Sequence, residues 1–463
     1  MLFNSFGFIF IFLPISFFIY FYLNRVNFVK SGRYFLLLSN LTFYSAWNIA
    51  YLPLILISVI FNYYSGKLLI ESNFNKKRVL IFSIFINLLV LGYFKYTNFF
   101  IDNLNLITQS NIKLLNIALP LAISFFTFQQ IAYLVDSYRG KIVESNFLDY
   151  AIFVTFFPQL IAGPITYYKE ITPQFNSREK LYINFSNIQK GITIFAIGLF
   201  KKVIIADTFA IWANSGFDST QTLSFFQAWS SSLSYTFELY YDFSGYTDMA
   251  IGIALLFNIK LPINFNSPYR ALSIEDFWRR WHITLSRFLK DYIYIPLGGN
   301  QKGWMREYIN IFITFLLAGI WHGAGWTFIL WGLLHGVALI LNKIWKRLGF
   351  KLHKLVAWFI TFNFINVSWV FFRAKDIDDA LRVLKGMVSI HSIDAPNLIN
   401  FSWIAIVIIL IFIKNSYEIT NSQLLSNNKK VYVASFFIML AILQLFNMQL
   451  LENSSSKFIY FEF

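Results

Sequence analysis

The chain has 463 residues, of which 57% are hydrophobic and only 13% are charged, and its mean hydropathy is +0.56. A soluble domain carries about 25% charged residues, so this composition excludes an ordinary soluble protein and indicates a membrane protein. The net charge is +15, and the absence of cysteine excludes disulfides, thiolate nucleophiles and cysteine-ligated zinc.

Apolar runs long enough to cross a bilayer recur from one end of the chain to the other. They lie at 6–23, 34–64, 79–96, 117–135, 191–213, 225–258, 308–342, 355–372, 401–414 and 431–448. At about 20 residues for each crossing, they predict an all-α polytopic membrane protein with roughly 11 to 13 spans, and we expect about 12. The sequence therefore indicates one membrane domain over 1–448 and an exposed tail over 449–463.

Basic residues gather in short segments between these runs, notably at 25–33, 67–78 and 414–430. Short basic loops prefer the cytoplasmic side of a membrane, so we expect these three segments to be cytoplasmic and both termini to be outside. No soluble basic domain carries the positive charge, which argues against nucleic-acid binding.

Two stretches in the first 252 residues interrupt the apolar pattern with helix-breaking or polar residues. The stretch "FFPQLIAGPITYY" (156–168) contains Pro158 and the pair Gly163-Pro164, which break a helix and predict a re-entrant segment. The stretch "FELYYDFSGYTDMAIG" (237–252) brings three carboxylates into an apolar run: Glu238, Asp242 and Asp248. We favour a structural network with a lysine or arginine over catalysis for these carboxylates.

A third interruption is the basic and aromatic stretch "DFWRRWHITLSRFLKDYIYIPLGGN" (276–300). Read as one helix, it places large apolar residues on a single face: Phe277, Trp281, Leu285, Phe288 and Leu289. This pattern predicts an interfacial helix that leads to the loop "PLGGN". His282 lies on this helix and is either an interfacial residue or one that helps to position a substrate or pairs with a second histidine.

The remaining histidines differ in their surroundings. In "GIWHGAGWTFILWGLLHG" (319–336), His322 stands among glycines inside an apolar run, where an ionisable side chain suggests a functional site. A purely structural hydrogen bond between helices is the alternative for His322 and the favoured role for His335. His353 and His391 lie in polar surroundings and carry no functional signal. Without a thiol, a metal-ligand set or a serine elbow, a buried histidine best suits a general base that activates a hydroxyl.

Five stretches together resemble a known family. They are "SFFTFQQIAYLVDSYRG" (124–140), "FFPQLIAGPI" (156–165), "YYDFSGYTDMAIG" (240–252), "FWRRWHITLSRFLKDYIYIPLGGN" (277–300) and "GIWHGAGWTFILWGLLHG" (319–336). In this order they resemble bacterial membrane-bound O-acyltransferases (MBOAT), in the branch that O-acetylates alginate and peptidoglycan and is related to the D-alanyl transfer protein of teichoic acid synthesis. The Trp-Arg-Arg-Trp-His run is the most specific of the matches.

The resemblance implies a ring of tilted helices around a central tunnel. His322 matches the catalytic histidine of the family, and His282 matches the second histidine of this branch. Acetyl-CoA in the cytoplasm is the implied acetyl donor, with no bound cofactor or metal. The acetyl group is expected to pass outward to an esterase-like SGNH transferase, which modifies a polysaccharide, with peptidoglycan favoured over alginate.

The chain ends on "FIYFEF" (458–463), which resembles the F-x-Y-F-x-F carboxyl-terminal motif of this acyl-relay branch. The match implies that Tyr460 accepts the acetyl group and passes it on. The tail 449–463 reaches roughly 50 Å when extended, which is enough to fold back to the external mouth of a tunnel. The alternative is a hydrophobic end that lies along the bilayer surface.

Two other functions stay open at this point. D-alanyl transfer to teichoic acid, from a carrier-protein thioester, is an alternative within the same enzyme class. A proton-coupled transporter is the alternative from another class, although no internal symmetry of the kind found in transporters is visible in the sequence.

Overall fold

The computed structural model describes residues 1–71, 75–389, 393–421 and 427–450, and all regular secondary structure in these ranges is helical. The α-helices are α1 Leu13–Arg25, α2 Val29–Ser45, α3 Leu52–Glu71, α4 Lys76–Thr108, α5 Ile123–Tyr138, α6 Phe147–Thr155, α7 Phe157–Leu160, α8 Tyr168–Phe175, α9 Phe185–Phe200, α10 Asp207–Phe217, α11 Phe225–Leu256, α12 Ile274–Arg280, α13 Ile283–Leu289, α14 Gly303–His322, α15 Trp326–Arg347, α16 Lys354–Arg373, α17 Ile377–Val388, α18 Leu398–Ile411, α19 Ser416–Asn421 and α20 Asn427–Leu450. Short π-helical segments cover Phe8–Phe12, Lys201–Ala206 and Lys290–Tyr294. The predicted all-α class is confirmed.

Five helical segments of the described chain are long and apolar enough to cross a membrane. They are Phe8–Arg25, Ile49–Glu71, Lys76–Thr108, Trp326–Arg347 and Lys354–Arg373, and two shorter apolar helices cover Leu398–Ile411 and Ala434–Gln444. These helices agree with a polytopic membrane protein. The expected ring of about 12 spans around a tunnel stays a prediction, because several predicted runs form helices that are too short or too polar to count by length and composition alone.

The chain divides into two compact units. Unit 1 contains Met1–Ala196, Tyr246–Pro262 and Leu425–Ser435, and unit 2 contains Ile197–Gly245, Ile263–Leu424 and Phe436–Phe463. The histidines singled out from the sequence, His282, His322 and His335, all belong to unit 2 and are at most 3% exposed.

In unit 1, the predicted break at 156–168 is present. Helix α6 ends at Thr155, the single turn of α7 follows, and irregular backbone leads to α8. The Gln159 side chain supports this irregular backbone, since its amide donates to the Phe153 carbonyl (2.6 Å) and its oxygen accepts from the Thr166 hydroxyl (2.8 Å). Protein groups therefore satisfy polar atoms that the broken helix leaves without partners.

A buried ion network stabilises unit 2. Lys202 lies in the π-helical segment Lys201–Ala206, and its Nζ is 2.7 Å from a carboxylate oxygen of Asp207 and 2.6 Å from one of Asp242. All three side chains are almost completely buried. Gly245 allows this approach, because a Cβ at that position would lie 2.7 Å from the Gly198 carbonyl. The predicted structural network with a lysine is confirmed for Asp242.

We expect Lys202→Met to destabilise the protein by about 3–5 kcal/mol, because it leaves the Asp207 and Asp242 carboxylates buried without a cation. Thermal unfolding of the detergent-purified protein measures the change. Lys375→Met is the matched control, since Lys375 is 65% exposed and pairs with the half-exposed Asp218, a type of pair that contributes about 1 kcal/mol or less. Equal stability of the two variants would contradict a structural role for Lys202.

Candidate active site

The hairpin of α14 and α15 holds His322 in place. Helix α14 ends at His322, which is 3% exposed, and α15 begins at Trp326 after a short extended turn. The two helices touch backbone to backbone at Gly319 and Gly332. A Cβ on Gly319 would lie 2.4 Å from the Phe328 carbonyl, and a Cβ on Gly332 would lie 2.5 Å from the Phe315 carbonyl. Only glycine fits at these two positions, as the glycine-rich sequence indicated.

Aromatic rings enclose the imidazole of His322. The ring centroids of Trp331 and Phe372 lie 5.0 Å and 5.1 Å from that of His322, and Trp321 lies at 4.9 Å. These contacts bring α15 and α16 against the end of α14. An apolar wall of this kind excludes water from a reacting group and strengthens electrostatic interactions inside the site.

The prediction of one continuous helix over 276–300 is wrong. Helix α12 ends at Arg280 and α13 begins at Ile283, with His282 between them in the left-handed region at φ +42°. A non-glycine residue in this region costs about 1–2 kcal/mol. The Ile283 amide donates to the Asn264 carbonyl (2.9 Å), which stabilises the break.

The apolar face that led to this prediction is nevertheless buried as expected. Its members are Phe277, Trp281, Leu285, Phe288 and Leu289, each at most 3% exposed. Both short helices therefore keep the predicted face toward the interior, and the break changes only the residue between them.

Hydrogen bonds fix the orientation and tautomer of His282. The Oδ1 atom of Asn264 accepts from the Thr284 amide (3.2 Å) and hydroxyl (2.9 Å), and it lies 3.1 Å from Nδ1 of His282. Because an amide oxygen only accepts, His282 carries its proton on Nδ1. Nε2 is then a lone-pair acceptor, and it has no hydrogen-bond partner among the residues that the structure describes.

His335 has a structural role, as favoured from the sequence. Its Nδ1 accepts from the Trp278 indole (3.2 Å), and its Nε2 lies 3.1 Å from the Ser368 hydroxyl. That hydroxyl donates to the Ile365 carbonyl (2.8 Å), so it accepts from His335. Both ring nitrogens are occupied, and they join α12 to α16.

His322 and His282 belong to one aromatic core. A tryptophan cluster of four buried rings, Trp278, Trp281, Trp331 and Trp369, forms its centre. Trp331 contacts His322, and Trp331 stacks on Trp369 at 5.8 Å. Trp281 contacts Trp369 at 5.0 Å and directly precedes His282 in the chain. Ring contacts of the cluster therefore connect His322 to Trp281, the residue next to His282 in the chain.

A cavity of about 270 Å³ lies beside this core, between α12, α13, α14 and α15. Its floor is apolar and includes Trp278, Leu289, Phe315 and Leu339, whereas its lining also contains three cations, Arg279, Lys290 and Lys343. An apolar floor with a few polar groups is typical of a small-molecule site.

The one acidic residue among the described lining residues, Glu275, is ion-paired within the protein. Burial raises the pKa of the Glu275 carboxyl, but the hydrogen bond and charge of Lys346, together with Arg279, outweigh it and hold the pKa below its usual value. Glu275 contacts both of these cations. The carboxylate therefore stays ionised and bound within the protein. Lys343 is also paired within the protein, with Glu307 at 2.7 Å. Among the described residues of this lining, Lys290 is the cation without a carboxylate partner.

Other candidates from the sequence lie elsewhere. His353 caps α16, where its Nδ1 accepts from the Leu355 amide (3.4 Å). His391 and Tyr460 lie outside the described residues, as does the tail motif 458–463. Sequence reasoning missed Asn264 and Thr284, which orient His282. Asn264 is 18 residues from His282, and no local pattern marks it.

Comparison with known proteins identifies the family. The sequence model of the membrane-bound O-acyltransferase family matches residues 31–373. The chain belongs to this family. It is therefore an O-acyltransferase, which decides against the transporter alternative, and the matched range includes both His282 and His322.

Several curated relatives are similar over most of the chain. A peptidoglycan O-acetyltransferase of Helicobacter pylori is 52% identical over 432 residues, covering 86% of this chain and 82% of the relative. A probable alginate O-acetylase AlgI of Pseudomonas aeruginosa is 40% identical over 401 residues, covering 84% and 75%. A teichoic acid D-alanyltransferase of Bacillus subtilis is 28% identical over 274 residues, covering 55% and 69%.

We expect Gly332→Ala to destabilise the enzyme by about 1–3 kcal/mol and to lower its activity, because the added methyl group overpacks the hairpin that holds His322. Gly336→Ala, one turn further along α15, is the control. Its Cβ would have no neighbour nearer than 3.4 Å, and alanine favours the helix by about 1 kcal/mol. Thermal unfolding and acetyl-transfer assays of both variants test this, and equal behaviour of the two would refute the proposed helix contact.

Proposed function

We propose that this enzyme takes acetyl from cytoplasmic acetyl-CoA and relays it across the bacterial cytoplasmic membrane for O-acetylation of peptidoglycan. The observation that carries the proposal is His322, a histidine buried among aromatic rings at the end of a helix hairpin, in a chain 52% identical to a peptidoglycan O-acetyltransferase. D-alanyl transfer is the second candidate. It has weaker support, because two teichoic acid D-alanyltransferases match only about half of this chain, at 26–28% identity.

His322 acts as the general base in this proposal. An acceptor hydroxyl gives its proton to the imidazole as its oxygen attacks the thioester carbonyl carbon. The carbon–sulfur bond then breaks, and the protonated imidazole returns the proton to the leaving thiolate. The products are an acetyl ester and free CoA, and the histidine ends in its original state.

His282 supports the same reaction from the other end of the tryptophan cluster. Its Nδ1 proton is committed to Asn264, so the Nε2 lone pair faces the buried interior as an acceptor. In that form the ring orients a donor group of the substrate, such as the amide of the CoA arm or the attacking hydroxyl. The packing around His282 holds its backbone in the left-handed region, and this fixes the orientation of the ring.

The cavity beside α12 and α13 suits the thioester donor. Its apolar floor fits the arm of acetyl-CoA, and Lys290 suits a phosphate at the far end. We expect this region to lie at the cytoplasmic side, where acetyl-CoA is available.

The acetyl group leaves on the opposite side. In the proposed relay, Tyr460 in the carboxyl-terminal tail is the hydroxyl that His322 activates. The resulting acetyl-tyrosine then meets a serine hydroxyl of an SGNH-type partner, which takes the acetyl group and restores the phenol. The partner finally transfers acetyl to the polysaccharide. Both termini of the membrane enzyme are extracytoplasmic in this scheme.

We expect His322→Ala to lower acetylation of the cell wall by about a hundredfold to ten-thousandfold, because it removes the general base. The acetyl content of isolated peptidoglycan measures the effect, and membrane levels of the protein show that the variant inserts. His353→Ala is the matched control, since that histidine caps a helix away from the site. Normal acetyl content in a well-expressed His322→Ala strain would refute the catalytic role.

We expect Lys290→Gln to raise the KM for acetyl-CoA by about tenfold with little change in kcat, because a charge-assisted hydrogen bond to phosphate contributes on the order of 1.5 kcal/mol. Lys302→Gln, outside the cavity lining, is the control. A short acetyl thioester that lacks the nucleotide should react equally with all three proteins. A loss of activity that is the same for both donors would contradict phosphate binding at Lys290.

A further inference from the structure

A second cleft lies in unit 2, away from the histidines. It has a volume of about 570 Å³ and is formed by the loop after α10, the first turns of α11 and the segment that leads into α18. Among the described residues, none of those assigned to acetyl transfer lines it.

The lining of this cleft is polar but almost uncharged. It consists mainly of serine, threonine, glutamine and asparagine side chains, and Asp394 is the one charged residue among its described lining residues. The chain has a net charge of +15, yet none of these described lining residues is a lysine or an arginine. The Oδ1 atom of Asp394 is buried and has no hydrogen-bond partner in the described part of the chain. The cleft therefore offers many neutral hydrogen-bonding groups and one strong acceptor.

Two aromatic rings complete the lining. Phe226 of α11 and Phe401 of α18 meet at 5.7 Å with their planes at 85°. They line the same cleft as the amides and hydroxyls. A ligand that suits both features carries hydroxyl groups along its edge and apolar C–H faces.

Hydrogen bonds hold the walls of the cleft in place. The guanidinium of Arg382 donates to the carbonyls of Gly216, Phe217 and Gln221 at 3.1–3.2 Å, which fixes the loop after α10. Asn400 donates to the Ser230 hydroxyl at 3.3 Å and joins the two sides. Side chains held in this way lose little entropy when a ligand binds.

The position of the cleft along the chain indicates its side of the membrane. Helix α18 leads from the cleft to the segment 414–430, whose basic residues favour the cytoplasm. In the topology expected from the basic loops, in which the apolar run 401–414 crosses the membrane, the cleft at the other end of α18 lies on the exterior, the side on which the acetyl group is expected to appear.

We propose that this cleft binds a short, uncharged stretch of a saccharide chain, and that the membrane enzyme itself holds its polysaccharide acceptor there. The inference rests on the proposed acetyl relay. Hydroxyl groups of a sugar match the amide and hydroxyl lining, Asp394 accepts from one of them, and the phenyl rings pack on the C–H faces of the sugar. A polyuronate or a phosphate-bearing headgroup fits poorly, because its anions meet a carboxylate and no cation among the lining residues.

The test uses the purified full-length protein and a tetramer of N-acetylglucosamine as a neutral probe, with binding followed by saturation-transfer NMR. Wild type should bind the probe, and Asp394→Asn should weaken binding by about tenfold, since it removes a charged hydrogen-bond acceptor. Phe401→Ala should weaken it further. Asp378→Asn, an exposed carboxylate on α17 outside the cleft, is the matched control and should bind as wild type does.

Turnover of acetyl-CoA by the same samples separates this inference from the proposed function. Probe binding by a protein that does not turn over acetyl-CoA would leave the cleft supported and overturn the acetyl relay. Turnover by a wild-type protein that does not bind the probe would overturn the cleft as a saccharide site. Equal binding by wild type and Asp394→Asn, tighter binding of a uronate oligomer, or displacement of the probe by a glycerophosphate headgroup would overturn it as well.

Discussion

The backbone contact between α14 and α15 is the constraint on which the candidate site depends. At Gly319 and Gly332, on facing helices, there is no room for a side chain, so the two helices pack backbone to backbone. This closeness places His322 at the end of one helix and Trp331 of the next helix against its ring. The tryptophan cluster then extends the same packed layer to His282. A reacting group in such a layer is shielded from water and held by rigid neighbours, which are the conditions for preorganised catalysis.

Other parts of unit 2 support the packing around His322, the tryptophan cluster and His282. Hydrogen bonding distinguishes His335 from His282. Both ring nitrogens of His335 bond to other side chains of the protein, whereas His282 bonds to Asn264 through Nδ1 and keeps Nε2 for a substrate in the proposed function. The buried Lys202 network fixes α11 against the π-helical segment before α10. Buried charges of this kind contribute little net stability, but their removal one at a time is costly, so they specify one arrangement of the helices.

Much of this arrangement could be predicted from the sequence where a local signal exists. Prolines and glycines marked the break at 156–168, and closely spaced glycines marked the hairpin at His322. The break at His282 could not be predicted, because the apolar period continues unchanged from Phe277 to Leu289 while the chain turns between the two helices. Its cause is Asn264, whose contacts depend on tertiary structure. That Lys202 pairs with Asp242 could not be predicted either, since nothing in the local sequence distinguishes Lys202 from Lys201.

In the proposed relay, acetyl passes through the membrane enzyme by way of His322 and a hydroxyl of its own tail. The most direct measurement is mass spectrometry of the carboxyl-terminal peptide after purified enzyme in vesicles is given acetyl-CoA without its partner. The relay predicts one added acetyl group on Tyr460 in the wild type and none in the His322→Ala or Tyr460→Phe enzyme. An unmodified tail in a wild-type enzyme that still acetylates its acceptor when the partner is added would contradict the relay.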